Sequence, residues 1–191
     1  IGIRILVAEV QPSGDFRVVD RAERPVGLGR DVFTTGTISR EAMTQSLEIL
    51  RRFREMLDGW KISRRNVKVV ATSALREARN RDTCSDRVEL RTGRKISIIE
   101  GVEANRLTYI AVRHALADQQ GLARSNSMII EVGGGSTEIM LLEHGHMVAA
   151  HSLAVGTVRM EPQLKNVFGS ADQLLQFLEE NVRTTTVIPN S

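Results

Sequence analysis

The sequence predicts an α/β chain of two lobes. Strand-sized apolar runs alternate with stretches of helical periodicity along its 191 residues, and each predicted lobe opens on a β-hairpin. The second hairpin turns through Gly133-Gly134-Gly135-Ser136-Thr137-Glu138. The expected lobes are 1–124 and 125–191, the second of them partial.

Ile3 to Val10 alternates as a strand, 11–15 is its Pro/Ser/Gly turn, and Phe16 to Ala22 is the return strand. Ser39 is a suitable N-cap for a helix carrying Met43, Leu47, Leu50 and Leu57 on one face, widened by Ile49, Phe53 and Met56. Val67 to Thr72 is a short strand, Ala74 to Ala78 is helical, and a polar helix to about Leu90 stops at Gly93. Ile96 to Glu100 is a strand ended by Gly101, and Val102 to Leu116 a helix. Residues 117–126 form a linker. The glycine hairpin follows, then a tight turn at Glu143-His144-Gly145-His146 and a strand through Leu153. Ser170-Ala171-Asp172-Gln173 opens a last helix to about Val182, and a polar stretch runs to Ser191.

Composition narrows the function. With 41% hydrophobic residues the chain can bury a core, and no apolar run is long enough to cross a membrane as a helix. The start, Ile1-Gly2-Ile3-Arg4, has no signal-peptide pattern, and Cys84 is the only cysteine; both point to a cytoplasmic protein. Net charge is +3, with arginine making up 22 of the 26 basic residues because lysine occurs only at 61, 68, 95 and 165. Arginine suits bidentate contact with phosphate. Aromatics are only 4% and no basic stripe interleaves with them, so a nucleic-acid partner is not expected.

The hairpin at 133–138 carries the chemistry. Glycines let backbone N–H groups converge on an anion, the hydroxyls of Ser136 and Thr137 add donors, and Glu131 and Glu138 bracket the loop with carboxylates for a metal ion or a water. His144 and His146 read as turn residues rather than metal ligands, and Cys84 has no paired histidine that would make it a nucleophile.

Ala71-Thr72-Ser73-Ala74-Leu75-Arg76-Glu77-Ala78-Arg79-Asn80, taken with Gly133 to Glu138, resembles the exopolyphosphatase / guanosine pentaphosphate phosphohydrolase family. Ile99-Glu100-Gly101-Val102-Glu103 with Arg106-Leu107, and Ser152-Leu153-Ala154-Val155-Gly156-Thr157-Val158-Arg159, match in the same order. The resemblance implies an actin-like, Hsp70-like and sugar-kinase-like ATPase fold of two ribonuclease-H-like lobes. It also implies hydrolysis of terminal phosphoanhydride bonds in polyphosphate or guanosine pentaphosphate, Mg²⁺ as cofactor, and a homodimer. By position, Gly133, Gly134, Gly135, Ser136 and Thr137 would bind substrate phosphate together with Arg76 and Ser73, while Glu138 and Glu131 would act on metal or water.

Three departures qualify the resemblance. Glu131 stands where the family usually has aspartate. Ala104 stands where the family has its proposed base, a glutamate two residues before the arginine matched by Arg106. Glu103 is the neighbouring carboxylate and the candidate catalytic substitute, although one residue of offset turns its side chain about 100° round the helix. An Asp-x-Gly-Ser-Asn-Ser loop is expected ahead of the first strand, and Ile1-Gly2 contain none of it. Because Ala104 can accept no proton, the alternative expectation is an impaired member that binds polyphosphate or nucleotide as a regulatory module.

Overall fold

The computed structural model describes residues 2–116, 125–164 and 171–184. Most of the expected linker, the first residue of the Ser170 capping box and the polar stretch after Thr184 lie outside them. By contacts the chain divides into two compact units, Ile1–Val70 with Glu77–Ser97, and Ala71–Arg76 with Ile98–Ser191.

In the first unit, β1 (Gly2–Val10) and β2 (Phe16–Pro25) pair antiparallel with Val10 opposite Phe16 and a bulge at Val7/Ala8. The turn is closed by Gln11 N–H to the Asp15 carbonyl (2.8 Å), with Gly14 at φ 91°. A short helix absent from the expected elements, α1 (Leu28–Thr35), follows and ends where Gly36 takes φ 76° and returns its N–H to the Val32 carbonyl. Helix α2 (Arg40–Gly59) starts as expected, with the Ser39 side chain accepting from Ala42 N–H at 3.1 Å.

The buried face of α2 is Ala42, Met43, Ser46, Phe53 and Leu57, so Leu47, Ile49 and Leu50 lie on its flanks, half-buried. It packs on α4 (Arg81–Thr92), whose Cys84, Val88 and Thr92 are buried. Small residues at 42 and 46 occupy positions where a hydrophobicity count expects bulk, and the Ser46 hydroxyl is satisfied by the Ala42 carbonyl at 2.7 Å. Gly93 caps α4 at φ 69° as expected. Cys84 is 4% exposed and burial pushes its thiol pKa up, which suits a core residue and not a nucleophile.

The α1–α2 corner is clamped by the segment leading into α4. The Asn80 side chain accepts from Ile38 N–H and donates to the Ile38 carbonyl, both at 2.9 Å, Arg79 N–H reaches the Gly36 carbonyl at 3.0 Å, and Arg79 Nη2 reaches the Thr35 carbonyl at 2.7 Å.

The dividing line between the units runs through β3 (Val69–Ala71), α3 (Ser73–Glu77) and β4 (Ile96–Ile98), the two strands forming a two-stranded sheet. In the second unit, α5 (Gly101–Ala115) packs on the antiparallel sheet β5 (Ser127–Val132), β6 (Thr137–Glu143) and β7 (His146–Leu153), through β6 and β7. The sequence places the lobe boundary near residue 124; by contacts α5 already groups with the strands that follow it. Two helices close the described chain, the short α6 (Glu161–Leu164) and the longer α7 (Ala171–Thr184). Met140 and Leu142 of β6 are 0% and 1% exposed. No helix among the described residues is long and apolar enough to cross a membrane.

Two outcomes test this packing. Met140→Ala and Leu142→Ala should each cost about 2–5 kcal/mol in denaturant unfolding, as cavity-forming core truncations do. Hydrogen bonds from Arg51 and then Arg52 hold the Glu48 carboxyl down at about 2. A folded-state pKa below the unfolded value means that this pair's stabilisation is complete above about pH 4.5 and is lost as pH falls towards about 2. NMR titration of the Glu48 carboxyl should follow that window, and a midpoint near 4.5 would contradict the ion pair.

Candidate functional site

Antiparallel register sets the geometry. Glu131 of β5 faces Glu138 of β6, and Glu138 faces Ser152 of β7, so all three side chains share one face of the sheet. Glu138 Oε1 accepts from Ser152 Oγ at 2.8 Å and from Ser136 Oγ at 2.9 Å. Its other oxygen, Oε2, is buried and has no hydrogen-bond partner. Glu131 is exposed, and its Oε2 accepts from Thr108 Oγ1 of α5 at 2.7 Å.

The loop between these strands is held by its carbonyls. Gly133 N–H closes on the Ser136 carbonyl at 2.8 Å. The following segment donates to the glycines: Thr157 N–H to Gly133 O at 3.0 Å, Val158 and Arg159 N–H to Gly134 O at 2.9 and 3.0 Å, and Arg159 Nε to Gly135 O at 2.6 Å. Thr137 Oγ1 in turn donates to the Val155 carbonyl at 2.7 Å. With the carbonyls committed, the N–H groups of Gly134, Gly135 and Ser136 make no backbone hydrogen bond among the described residues. That is an arrangement able to receive an anion.

Gly156 makes this possible. A Cβ there would sit 2.5 Å from Gly134 O and Gly135 C, closer than real contacts allow. Residue 156 must therefore be glycine for the two segments to touch.

The remaining expected residues fall as follows. Ser73 opens α3 and is half-buried, and Arg76 in its last turn donates from Nη1 to the Ile99 carbonyl at 2.8 Å. Ala104 is half-buried in the first turns of α5. Glu103 is bound by Arg106 at 2.7 and 2.9 Å, and that guanidinium holds its carboxyl below the usual carboxylate range, which makes it a weaker proton acceptor. Ser136 and Thr137, expected as phosphate donors, spend their hydroxyls on Glu138 and Val155 in this structure. His144 takes φ 49° and Gly145 φ 79° in the β6–β7 turn, and no group of three metal-ligating side chains occurs among the described residues.

Sequence reasoning assigned no role to Thr108, Ser152, Gly156 or Arg159. The last three lie in the matched run from Ser152 to Arg159, but their roles follow from register and close approach. It also missed Asn105, which is 1% exposed with neither amide atom partnered. Asn105 stands three and four residues before Thr108 and Tyr109, on the α5 face that reaches Glu131 and, through Tyr109 Oη at 2.6 Å, the Gly145 carbonyl. Glu138 Oε2 and the Asn105 amide are the buried side-chain atoms left without partners among the described residues, and both belong to the second unit.

Residues 6–185 match the Ppx/GppA phosphatase family. The chain belongs to that family. It is 31% identical to exopolyphosphatase 2 of Mycobacterium tuberculosis, over 95% of this chain and 60% of that protein. It is 32% identical to the guanosine-5'-triphosphate,3'-diphosphate pyrophosphatase of Aeromonas hydrophila, over 88% of this chain and 32% of that one. The crystal structure of the Aquifex aeolicus Ppx/GppA family member superposes with a TM-score of 0.71 at 24% identity, over 93% of this chain and 56% of that one. The fold is therefore the actin-like ATPase fold of Ppx/GppA proteins, as the sequence predicts. The chain spans from about a third to three-fifths of these relatives.

The contact at Gly156 yields a direct test. Gly156→Ala should displace the Gly134–Gly135 backbone and lower stability by about 1–3 kcal/mol, the usual cost of overpacking. Thermal unfolding measures the loss, and amide chemical shifts of residues 133–136 should move with it; an unperturbed loop would remove the steric argument.

Proposed function

We propose that this chain carries the phosphate-handling part of a hydrolase that releases phosphate from terminal phosphoanhydride bonds of inorganic polyphosphate, guanosine pentaphosphate, or both. The observation that carries the reading is the glycine loop, whose carbonyls are tied to residues 157–159 while three consecutive N–H groups stay unspent beside Glu138. Membership of the Ppx/GppA family supports it, as do relatives named for exopolyphosphatase and guanosine polyphosphate pyrophosphatase activity. Phosphoryl transfer asks the protein mainly for positioning and neutralisation of charge. On this reading Gly133, Gly134, Gly135, Ser136 and Thr137 cradle a phosphoryl group, Arg76 and Ser73 contribute to holding substrate, and Glu131 and Glu138 orient the attacking water.

The residues also fit a magnesium ion. A buried, unpartnered carboxylate oxygen on Glu138 is costly to leave unmatched, by about 1–3 kcal/mol or more for a charged group, and a hard cation would match it. Magnesium is commonly held by one or two carboxylates plus substrate phosphates, and Glu138 faces Glu131 across the β5–β6 pair. Glu138, with Glu131, would hold the ion, which when bound neutralises phosphate charge. The reading takes the enzyme to be cytoplasmic and homodimeric.

A second reading has a specific observation behind it. Ala104 cannot accept a proton, and Glu103 beside it is engaged by Arg106, so the chain could bind its ligand without turnover. Phosphate release from polyphosphate and from guanosine pentaphosphate with magnesium decides between the two. Turnover that falls at least about a hundredfold in Glu138→Gln supports the hydrolase. Binding by calorimetry without release, together with a gain of about 10²–10⁴-fold in Ala104→Glu, supports the impaired member. Neither binding nor release would end both readings.

A further inference from the structure

Three successive peptide planes of the glycine loop are fixed through their carbonyls by residues 157–159. The planes that carry Gly134 N–H and Gly135 N–H are held by backbone donors: Thr157 N–H on Gly133 O, and Val158 and Arg159 N–H on Gly134 O. The third plane joins Gly135 to Ser136, and a side chain holds it. Its carbonyl accepts from Arg159 Nε at 2.6 Å. One residue thus grips two neighbouring carbonyls, Gly134 O with its backbone N–H at 3.0 Å and Gly135 O with its guanidinium. The backbone of Arg159 is itself set by the turn in which Met160 N–H closes on Gly156 O at 2.9 Å, with Met160 5% exposed.

A trans peptide carries its carbonyl and its N–H on opposite sides, so the bond to Arg159 turns Ser136 N–H away from that side chain. Glycine at 135 puts little restraint of its own on the plane. The guanidinium therefore supplies the restraint. A hydrogen bond from a cation is roughly twice as strong as one between neutral groups. It also polarises the peptide it binds, which strengthens the N–H at the other end as a donor. We propose that Arg159 is a positioning residue for the reaction: through Gly135 O it orients and strengthens Ser136 N–H as a donor to phosphoryl oxygens at the glycine loop. It acts through the peptide and not as a charge laid directly on the substrate. The choice of a phosphoryl ligand rests on the function proposed above; the coupling of Arg159 to Ser136 N–H rests on the loop alone.

Two substitutions separate the bond from the charge. Glutamine carries its Nε2 on Cδ, as arginine carries Nε, so Arg159→Gln can keep a donor at Gly135 O without the charge. Arg159→Met reaches as far with neither donor nor charge. Tripolyphosphate hydrolysis with magnesium measures the effect. One donor aimed at developing charge is worth about 10²–10³ in kcat, so Arg159→Met should lower kcat at least about tenfold, with KM changed far less. Arg159→Gln should recover most of that loss. Equal losses in the two variants would assign Arg159 to direct charge contact and overturn the proposal, as would parental kcat in Arg159→Met. NMR of the parent and of Arg159→Gln decides the matter if Arg159→Met unfolds. Inorganic phosphate should shift the Ser136 amide together with those of Gly134 and Gly135 in both. A Ser136 amide that stays still in the parent, or that responds in the parent and not in Arg159→Gln, overturns the role. A phosphate-dependent Ser136 shift that Arg159→Gln keeps and Arg159→Met loses, with no hydrolysis by the parent, sinks the proposed activity and leaves the positioning role standing.

Discussion

The second unit is organised around one close approach of backbone to backbone. Gly156 lies against Gly134 and Gly135 at distances a Cβ would make impossible, and that contact lets residues 157–159 take up the loop carbonyls. A peptide group whose carbonyl is fixed on one side must present its N–H on the other. The anion-receiving character of the loop thus follows from a packing constraint some twenty residues downstream. Glu138 is placed by the same arrangement, because Ser136 belongs to the loop and Ser152 precedes the bracing segment.

Unsatisfied polarity falls in the unit that carries the glycine loop. Protein interiors rarely leave side-chain polar atoms unpaired, and each exception calls for an explanation. Here the exceptions among the described residues are Glu138 Oε2 and the Asn105 amide, both in the unit that carries the loop. Glu103 and Arg106, by contrast, satisfy one another on a more exposed part of α5.

The motif running from Ala71 to Asn80 is divided between the two units. In one, Arg76 reaches the Ile99 carbonyl, while in the other Arg79 and Asn80 clamp the corner between α1 and α2. One side-chain amide there replaces two backbone partners that a chain reversal would otherwise leave unpaired. A stretch that resembles a functional signature can therefore be half scaffold. Charge is divided in a similar way: Arg51 and Arg52 are absorbed by acidic neighbours on α2, whereas Arg40, Arg87 and Arg91 are not.

Periodicity alone fixed most of the strands, the Ser39 and Gly93 caps and the glycine hairpin, since each depends on residues close in sequence. The α1 helix escaped because at eight residues it carries only one i, i+4 apolar pair, Leu28 and Val32, too short a stripe to stand out, and the buried face of α2 was misjudged because Ala42 and Ser46 look too small to mark a core. In the site, Glu131, Glu138 and the loop were legible as a local cluster of glycines, hydroxyls and carboxylates. Ser152 opposite Glu138, Thr108 on Glu131, the requirement for glycine at 156 and the orphaned Asn105 were not. The sequence by itself determined the family, through the resemblance of its ordered motifs, and the chemical character of the loop, because a local cluster of glycines, hydroxyls and carboxylates suffices for that. Only the tertiary structure decided which atoms are spent and which remain available, because that depends on strand register and on contacts between segments far apart along the chain.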